Sequence, residues 1–149
     1  MIKTASVVGT LLLTVAATPV FAEAPAAGRI KVATGSVLLV RGNAPLRAEA
    51  GQSVLEGDVL RTGPDGRVGV TLKDDTRVSL GPSSEIKLDR FSYAPAEHQL
   101  ALVLKVARGI VAYVSGHIAK LAADAIRIET PSAVLGVRGT TLAIRVDGQ

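Results

Sequence analysis

Residues 67–88, RVGVTLKDDTRVSLGPSSEIKL, contain three short segments in which apolar and polar residues alternate. The apolar members of these segments are Val68, Val70, Leu72, Val78, Leu80, Ile86 and Leu88. Successive side chains of a β-strand point to opposite faces of the sheet, so the alternation predicts three strands with one buried face. Turn-forming residues separate them, Asp74-Asp75 first and then GPSS over residues 81–84. We therefore expect all seven apolar side chains to point into a core.

Corresponding positions in these strands, such as Val70, Val78 and Ile86, follow one another at a constant spacing. Short strands with regular turns suit a meander in a β-sandwich or barrel, and they equally suit the coils of a β-solenoid. The pattern thus predicts an all-β fold without deciding between these architectures. Farther along, alternation over residues 99–106 predicts a longer strand that Gly109 breaks, and the alanine-rich residues 117–125 predict one or two helical turns.

The first 22 residues have the layout of a secretory signal peptide. Lys3 is the only charged side chain before Glu23, and Val20 and Ala22 fit the small-residue positions that a signal peptidase requires. We expect cleavage before Glu23 and a periplasmic mature protein without a transmembrane helix. An uncleaved membrane anchor is the alternative, because the uncharged run approaches the roughly 20 residues that a bilayer needs. Threonines and a proline within the run weaken that alternative.

The composition of the rest of the chain limits its domain organisation and its classes of partner. Residues 23–29 show no strand or helical period and are predicted to be a tether, and residues 30–149 are predicted to form one β domain. The chain contains no cysteine, so disulfides are excluded and burial and backbone pairing must stabilise the fold. Aromatic residues make up only 3% and tryptophan is absent, which argues against a stacking platform for nucleic acid. We expect no nucleic-acid partner.

The candidate catalytic residues lie outside any catalytic pattern. His117 follows Ser115, but a nucleophile elbow would need Gly-x-Ser-x-Gly. His98 lies in a polar stretch that predicts a loop or a hairpin turn. Asp74 and Asp75 are adjacent carboxylates, whose bonding to the backbone of a tight turn explains the pair without catalysis. The chain also lacks the patterns of zinc, calcium and phosphate-binding sites. We therefore expect no enzymatic activity, no metal and no cofactor.

Arg138 is the one charged residue that ordinary surface exposure does not explain. It stands between Gly136 and Gly139, after the apolar Leu135 and Val137. Its guanidinium carries five donors, so it can cap free carbonyls at the end of a β-stack or be displayed for a partner's carboxylate. The capping role is the favoured interpretation.

Two blocks of the sequence resemble the FecR domain. They are EGDVLRTG at residues 56–63 and TPSAVLGVRGT at residues 130–140, and shorter matches extend the resemblance over residues 35–146. Asp75 stands where the family usually has glycine. The motif positions, which the resemblance marks as structural or interaction residues, are Gly57, Asp58, Arg61, Thr62, Gly63, Pro131, Gly136, Arg138, Gly139 and Thr140.

The resemblance implies a periplasmic domain of short strands stacked in a β-solenoid-like form, with a β-sandwich or barrel as the alternative. Family members of the transmembrane type relay a signal from an outer-membrane receptor to a cytoplasmic sigma factor. This chain shows no sigma-binding domain before its hydrophobic segment, so direct control of a sigma factor is not expected. We expect a stand-alone signalling module that binds another envelope protein. The alternative is an envelope protein that binds a glycan or a small molecule.

Overall fold

A computed structural model of the chain describes residues 16–20, 24–139 and 141–148. Most of the predicted signal peptide, its cleavage site before Glu23 and the motif residue Thr140 lie outside these ranges. Residues 16–20 are exposed and have no regular secondary structure. None of the helices in the described ranges has the length and apolar character that crossing a membrane requires.

The described residues form twelve strands, one short α-helix and two turns of 3-10 helix. The strands are β1 Ala26–Thr34, β2 Val37–Arg41, β3 Ala44–Arg47, β4 Ser53–Leu55, β5 Val59–Thr62, β6 Arg67–Leu72, β7 Arg77–Leu80, β8 Glu85–Ala94, β9 Gln99–Val114, β10 Ile126–Glu129, β11 Val134–Gly136 and β12 Thr141–Val146. The helix α1 is His117–Leu121, and the 3-10 turns are Pro95–Glu97 and Ala123–Ala125. The helical turns predicted over residues 117–125 are confirmed.

The strands make one curled sheet in two halves that share β9. The order is β3-β2-β5-β8-β9-β7-β6-β1-β4. Residues 99–108 of β9 pair with β8, and residues 111–114 pair with β7. Two further strands use the other edge of β9, where β10 runs parallel to its first part and β12 antiparallel to its last part. The long strand β9 therefore holds the two halves of the sheet together.

The all-β prediction is confirmed, whereas the solenoid-like form is not. The sheet is a curled, largely antiparallel half-barrel, so the barrel alternative fits in part. The reason lies in how the repeated segments pair. Val70 lies directly opposite Val78 in an antiparallel pair, whereas Ile86 belongs to the other half of the sheet and pairs with Leu60. Segments that are equally spaced along the chain therefore pair as antiparallel neighbours or cross to the other half of the sheet. They do not stack as the coils of a solenoid.

The core lies inside the curl. All seven apolar residues of the three alternating segments are buried, as the pattern predicts. Leu60 and Ile86 from one half of the sheet and Val70 and Val78 from the other line the same small internal cavity. The two halves therefore pack against each other through these side chains, each of which contributes about 1.5–3 kcal/mol by leaving water.

Gly109 does not break β9, contrary to the sequence-based expectation. The inward-facing residues before it are even-numbered, such as Leu104 and Val106, and those after it are odd-numbered, Val111 and Tyr113. Gly109 has a φ of +92°, a conformation that residues with a Cβ rarely adopt. The glycine thus lets one continuous strand change its inward face as it passes from one half of the sheet to the other.

The tether is shorter than the sequence suggests. Strand β1 begins at Ala26, within the predicted tether of residues 23–29, and Ala27 is already buried. Gly28 approaches the backbone of Thr71 and Leu72 so closely that a Cβ would overlap them. Small residues there permit close contact between β1 and β6, so their lack of an apolar period does not indicate a linker.

Candidate functional site

The first motif block begins with a turn built around a buried carboxylate. Asp58 is 2% exposed, and its two oxygens accept hydrogen bonds from Arg41 Nε at 3.0 Å and Arg41 Nη2 at 2.8 Å. The backbone N–H of Leu55 donates to the same carboxylate at 2.8 Å. Gly57 supports the turn with a φ of +88°, and its N–H donates to the Leu88 carbonyl. Asp58 therefore ties the end of β2 to the turn between β4 and β5.

The block continues in a second buried polar contact. Thr62 Oγ1 donates to the Gly81 carbonyl at 2.7 Å and accepts from the Ser84 N–H at 2.8 Å. The next residue, Gly63, donates its N–H to the Ser36 carbonyl and accepts from the Ser83 N–H. These bonds fix three loops against one another at one end of the fold, so Thr62 and Gly63 have a structural role in this arrangement.

Arg61 lies between these anchors and points outward. Its Nε donates to Glu85 Oε1 at 2.6 Å, and both side chains reach solvent. Strand pairing places Arg61 in a row of directly opposite residues that runs across five strands, β3, β2, β5, β8 and β9. The members of this arginine row are Arg47, Leu38, Arg61, Glu85 and Arg108. Directly opposite residues lie on the same face of a sheet, so all five line its outer face.

The arginine row borders an open groove of about 1120 Å³. Arg47, Arg61 and Arg108 line this arginine groove, and Arg145 of β12 adds a fourth guanidinium. Apolar side chains, among them those of Ile110 and two prolines, line it as well, together with the fixed loops that carry Ser36, Gly63 and Ser83. The charge of the groove is predominantly positive, with four arginines against the one carboxylate of Asp147.

The second motif block forms a hairpin on a different part of the surface. Thr130 closes the turn before β11 through backbone and side-chain bonds to Ala133, and Pro131 lies exposed inside this turn. Gly136 ends β11, and Gly139 has a φ of +47°.

Arg138 is exposed in this hairpin. Its guanidinium makes no hydrogen bond or ion pair with another described residue. The predicted carbonyl-capping role of Arg138 thus stays a prediction.

The two motif blocks meet only in part. Arg61 and Pro131 line one shallow pocket on the outer face of the sheet, together with the charged side chains of Glu85 and Lys105. Gly136 and Arg138 line a separate pocket beside β10. Most of the motif residues therefore build local turns, and Arg61, Thr62 and Gly63 also line the arginine groove.

The sequence did not single out the other arginines of the groove. Arg47, Arg108 and Arg145 belong to neither motif block and are far apart in the chain. Alternation puts only Arg145 on the solvent-facing side of its strand, because Arg108 continues the apolar register of Leu104 and Val106 and the residues around Arg47 do not alternate. Nothing local indicated that strand pairing would bring them together.

The adjacent aspartates and the histidine near them have structural contacts. Asp74 is fully buried, and its carboxylate accepts hydrogen bonds from Thr76 and from the N–H of Ile118. Asp75 takes the positive φ of the turn, at +66°. His117 Nδ1 lies 2.9 Å from the Asp74 carbonyl and 3.3 Å from an Asp75 oxygen. This cluster joins the β6–β7 turn to the start of α1.

Tyr113 is the largest fully buried side chain of β9. Burial raises the pKa of its phenol, and the charge of Asp74 acts in the same direction. The hydroxyls of Ser115 and Thr76 partly oppose this rise in pKa. The neutral phenol is therefore the form that the folded chain favours.

The fold and the motif geometry define a small all-β domain in which buried motif residues stabilise turns around a curled sheet. The family model described as FecR protein matches residues 58–149. The chain belongs to the FecR family, and this membership points to a signalling-related role. The match includes every motif residue except Gly57, which immediately precedes it. No significant match was found among curated proteins or among solved structures.

Proposed function

We propose that the chain is an exported, non-catalytic FecR-family module that binds another protein of the periplasm and takes part in signalling. The family match over residues 58–149 carries this proposal. Export is supported by the signal-peptide layout of the first 22 residues, with Val20 and Ala22 before the expected cut.

A free strand edge supports protein binding. Among the described residues, β12 pairs only with β9, so its other edge presents unpaired backbone N–H and C=O groups. Such an edge is a template for strand addition by a partner chain. Thr141, Ala143 and Arg145 are exposed along this strand.

The engagement of the candidate catalytic side chains supports a non-catalytic role. His117 Nδ1 lies within hydrogen-bond distance of the Asp74 carbonyl at the β6–β7 turn. The Asp74 carboxylate already accepts hydrogen bonds from three donors, two of Thr76 and one of Ile118. His98 ends a 3-10 turn with a φ of +55° and is exposed. Each of these side chains thus has a structural position that accounts for it.

Site-directed photocrosslinking tests the binding proposal. With p-benzoylphenylalanine in place of Ala143 on β12, we expect a discrete crosslinked protein in periplasmic extracts. The same group in place of the exposed Ala50, which lies in the loop between β3 and β4, is the matched control and should give no such product. Equal labelling from both positions, or no crosslinked protein from either, would contradict protein binding through this strand.

Cell fractionation tests export independently. We expect the protein in the periplasmic fraction, with an N-terminus at Glu23 by N-terminal sequencing. Recovery from the cytosol with residues 1–22 still attached would contradict export.

A further inference from the structure

We propose that the arginine groove binds an acidic, extended segment of the partner protein whose groove-facing side chains include both carboxylates and apolar groups. The inference rests on the proposed protein-binding function and deepens it by naming the chemistry of the bound segment. Four arginines line the groove, and the only carboxylate among the lining residues is that of Asp147.

The charges of the groove are only partly compensated within the chain. Arg61 pairs with Glu85, and Arg145 Nε lies 3.1 Å from Asp147 Oδ1. Arg47 and Arg108, at the two ends of the arginine row, make no ion pair with any residue in the described ranges. Like charges gathered on one face repel one another. A ligand that supplies carboxylates at both ends of the row would relieve this repulsion.

The dimensions of the groove indicate a peptide segment and not a single small anion. Arg47 and Arg108 are separated by four inter-strand steps of about 4.8 Å, or about 19 Å across the sheet. An extended chain advances about 3.3 Å per residue, so about six residues span this distance. One inorganic anion would contact only one end of the row.

The apolar side chains of the groove distinguish a protein segment from other polyanions. Leu38 lies within the arginine row and is 39% exposed, and Ile110 beside Arg108 is 49% exposed. Exposed aliphatic side chains between guanidiniums are matched by a segment that carries both apolar and acidic residues. An acidic glycan offers no aliphatic side chains to cover them.

The groove is also held in one shape before any ligand arrives. The loops that border it are joined by the Thr62–Ser84 and Gly63–Ser36 hydrogen bonds. At Gly109 a Cβ would overlap Ser84, so the β9 backbone lies tightly against the loop that precedes β8. A site with fixed backbone loses little conformational freedom on binding, which favours affinity for a short segment.

Fluorescence anisotropy with a defined peptide tests the inference. The probe is a fluorescein-labelled ten-residue peptide in which pairs of Glu alternate with pairs of Val, so that each face of the extended chain carries both residue types. It is titrated with the purified protein at low and at physiological salt. We expect saturable binding that weakens as salt rises, because exposed charge pairs are screened. The double variant Arg47→Ala/Arg108→Ala should bind about tenfold more weakly.

The matched control removes the same charge elsewhere. Arg77→Ala/Arg90→Ala deletes two exposed arginines that line no part of the groove, and it should bind the probe as the parent does. Circular dichroism confirms that both double variants fold. Equal affinities of the two double variants would overturn the inference.

Reversing the charges provides a second, independent readout. The variant Arg47→Glu/Arg108→Glu should lose the Glu-Val probe and gain affinity for a peptide in which Lys replaces every Glu of the probe. A Gln-Val peptide that binds the parent as tightly as the Glu-Val probe would overturn the inference. Tighter binding of a heparin oligosaccharide or of anionic lipid vesicles at the groove would overturn it as well, in favour of a general polyanion site.

The two proposals fail in different ways. If Arg47→Ala/Arg108→Ala still forms the crosslinked product through position 143 at the parent's level and binds the probe normally, protein binding stands and the acidic-segment inference falls. If no protein is crosslinked from any variant, the protein-binding function itself falls.

Discussion

Replacing Asp58 by alanine should destabilise the fold far more than replacing a surface aspartate. In the native chain the Asp58 carboxylate is 2% exposed, binds both Nε and Nη2 of Arg41, and accepts the Leu55 N–H. Hydrogen bonds to a charged group contribute about 1.5–3 kcal/mol, and a partly buried N–H left without an acceptor costs about 1–3 kcal/mol.

The contribution of Arg41 must be discounted, because its side chain is 39% exposed and water can solvate it after Asp58 is lost. We therefore expect Asp58→Ala to lower the free energy of unfolding by about 3 kcal/mol, which corresponds to roughly 10 °C in Tm. The reverse deletion, Arg41→Ala, leaves a buried carboxylate without its cation. It should cost at least as much.

Urea denaturation followed by far-UV circular dichroism measures both changes as shifts of the midpoint at constant m-value. The control is Asp89→Ala, the same substitution at a residue that is 31% exposed and forms ion pairs with two lysines on the surface. It should change the free energy of unfolding by less than about 1 kcal/mol. The reasoning is refuted if Asp58→Ala is no more destabilising than Asp89→Ala.

Three further predictions follow from other parts of the fold. Gly109→Ala should destabilise by at least about 1–3 kcal/mol in the same urea assay, because of its φ of +92° and the overlap of a Cβ with Ser84; Gly136→Ala, with open space around its Cβ, is the control, and equal effects would contradict the strain argument. Leu104→Ala should cost about 2–5 kcal/mol because Leu104 is 1% exposed in the core, and a loss under about 1 kcal/mol would show a loosely packed interior. Because the pKa of Tyr113 is raised in the folded chain, the unfolded chain releases the phenol proton at a lower pH than the folded chain does. The stabilisation that the neutral phenol contributes is therefore complete below pH 10, the ordinary pKa, and is lost as pH rises through the higher folded-state pKa. Tyr113→Phe should therefore gain stability relative to the parent as pH increases above about 10, measured by urea midpoints at several pH values, and parallel pH profiles would refute this assignment.

Much of the interior could be predicted from the sequence. The alternation over residues 67–88 correctly identified the seven apolar side chains that face inward there, because a strand has a side-chain period of two whatever it pairs with. The burial of the polar Asp74, Thr76 and Ser84 was not predicted. The motif blocks identified the family, and Asp58 and Thr62 in them prove to be buried turn residues. The side-chain period depends only on local strand geometry. The bonds of Asp58 to Arg41 and of Thr62 to Gly81 join residues distant in sequence, and the motif blocks alone did not indicate these partners.

The architecture and the groove were decided by the tertiary structure. The same eight-residue spacing fits a solenoid or a meander, and only long-range pairing places Val70 opposite Val78 and sends Ile86 to the other half of the sheet. Arg47 and Arg108 are brought into one row by four successive strand pairings, none of which leaves a mark on the composition around either residue. Periodicity reports which side of a strand is wet, but the partner of each strand depends on contacts between residues distant in sequence, and those contacts exist only once the chain has folded.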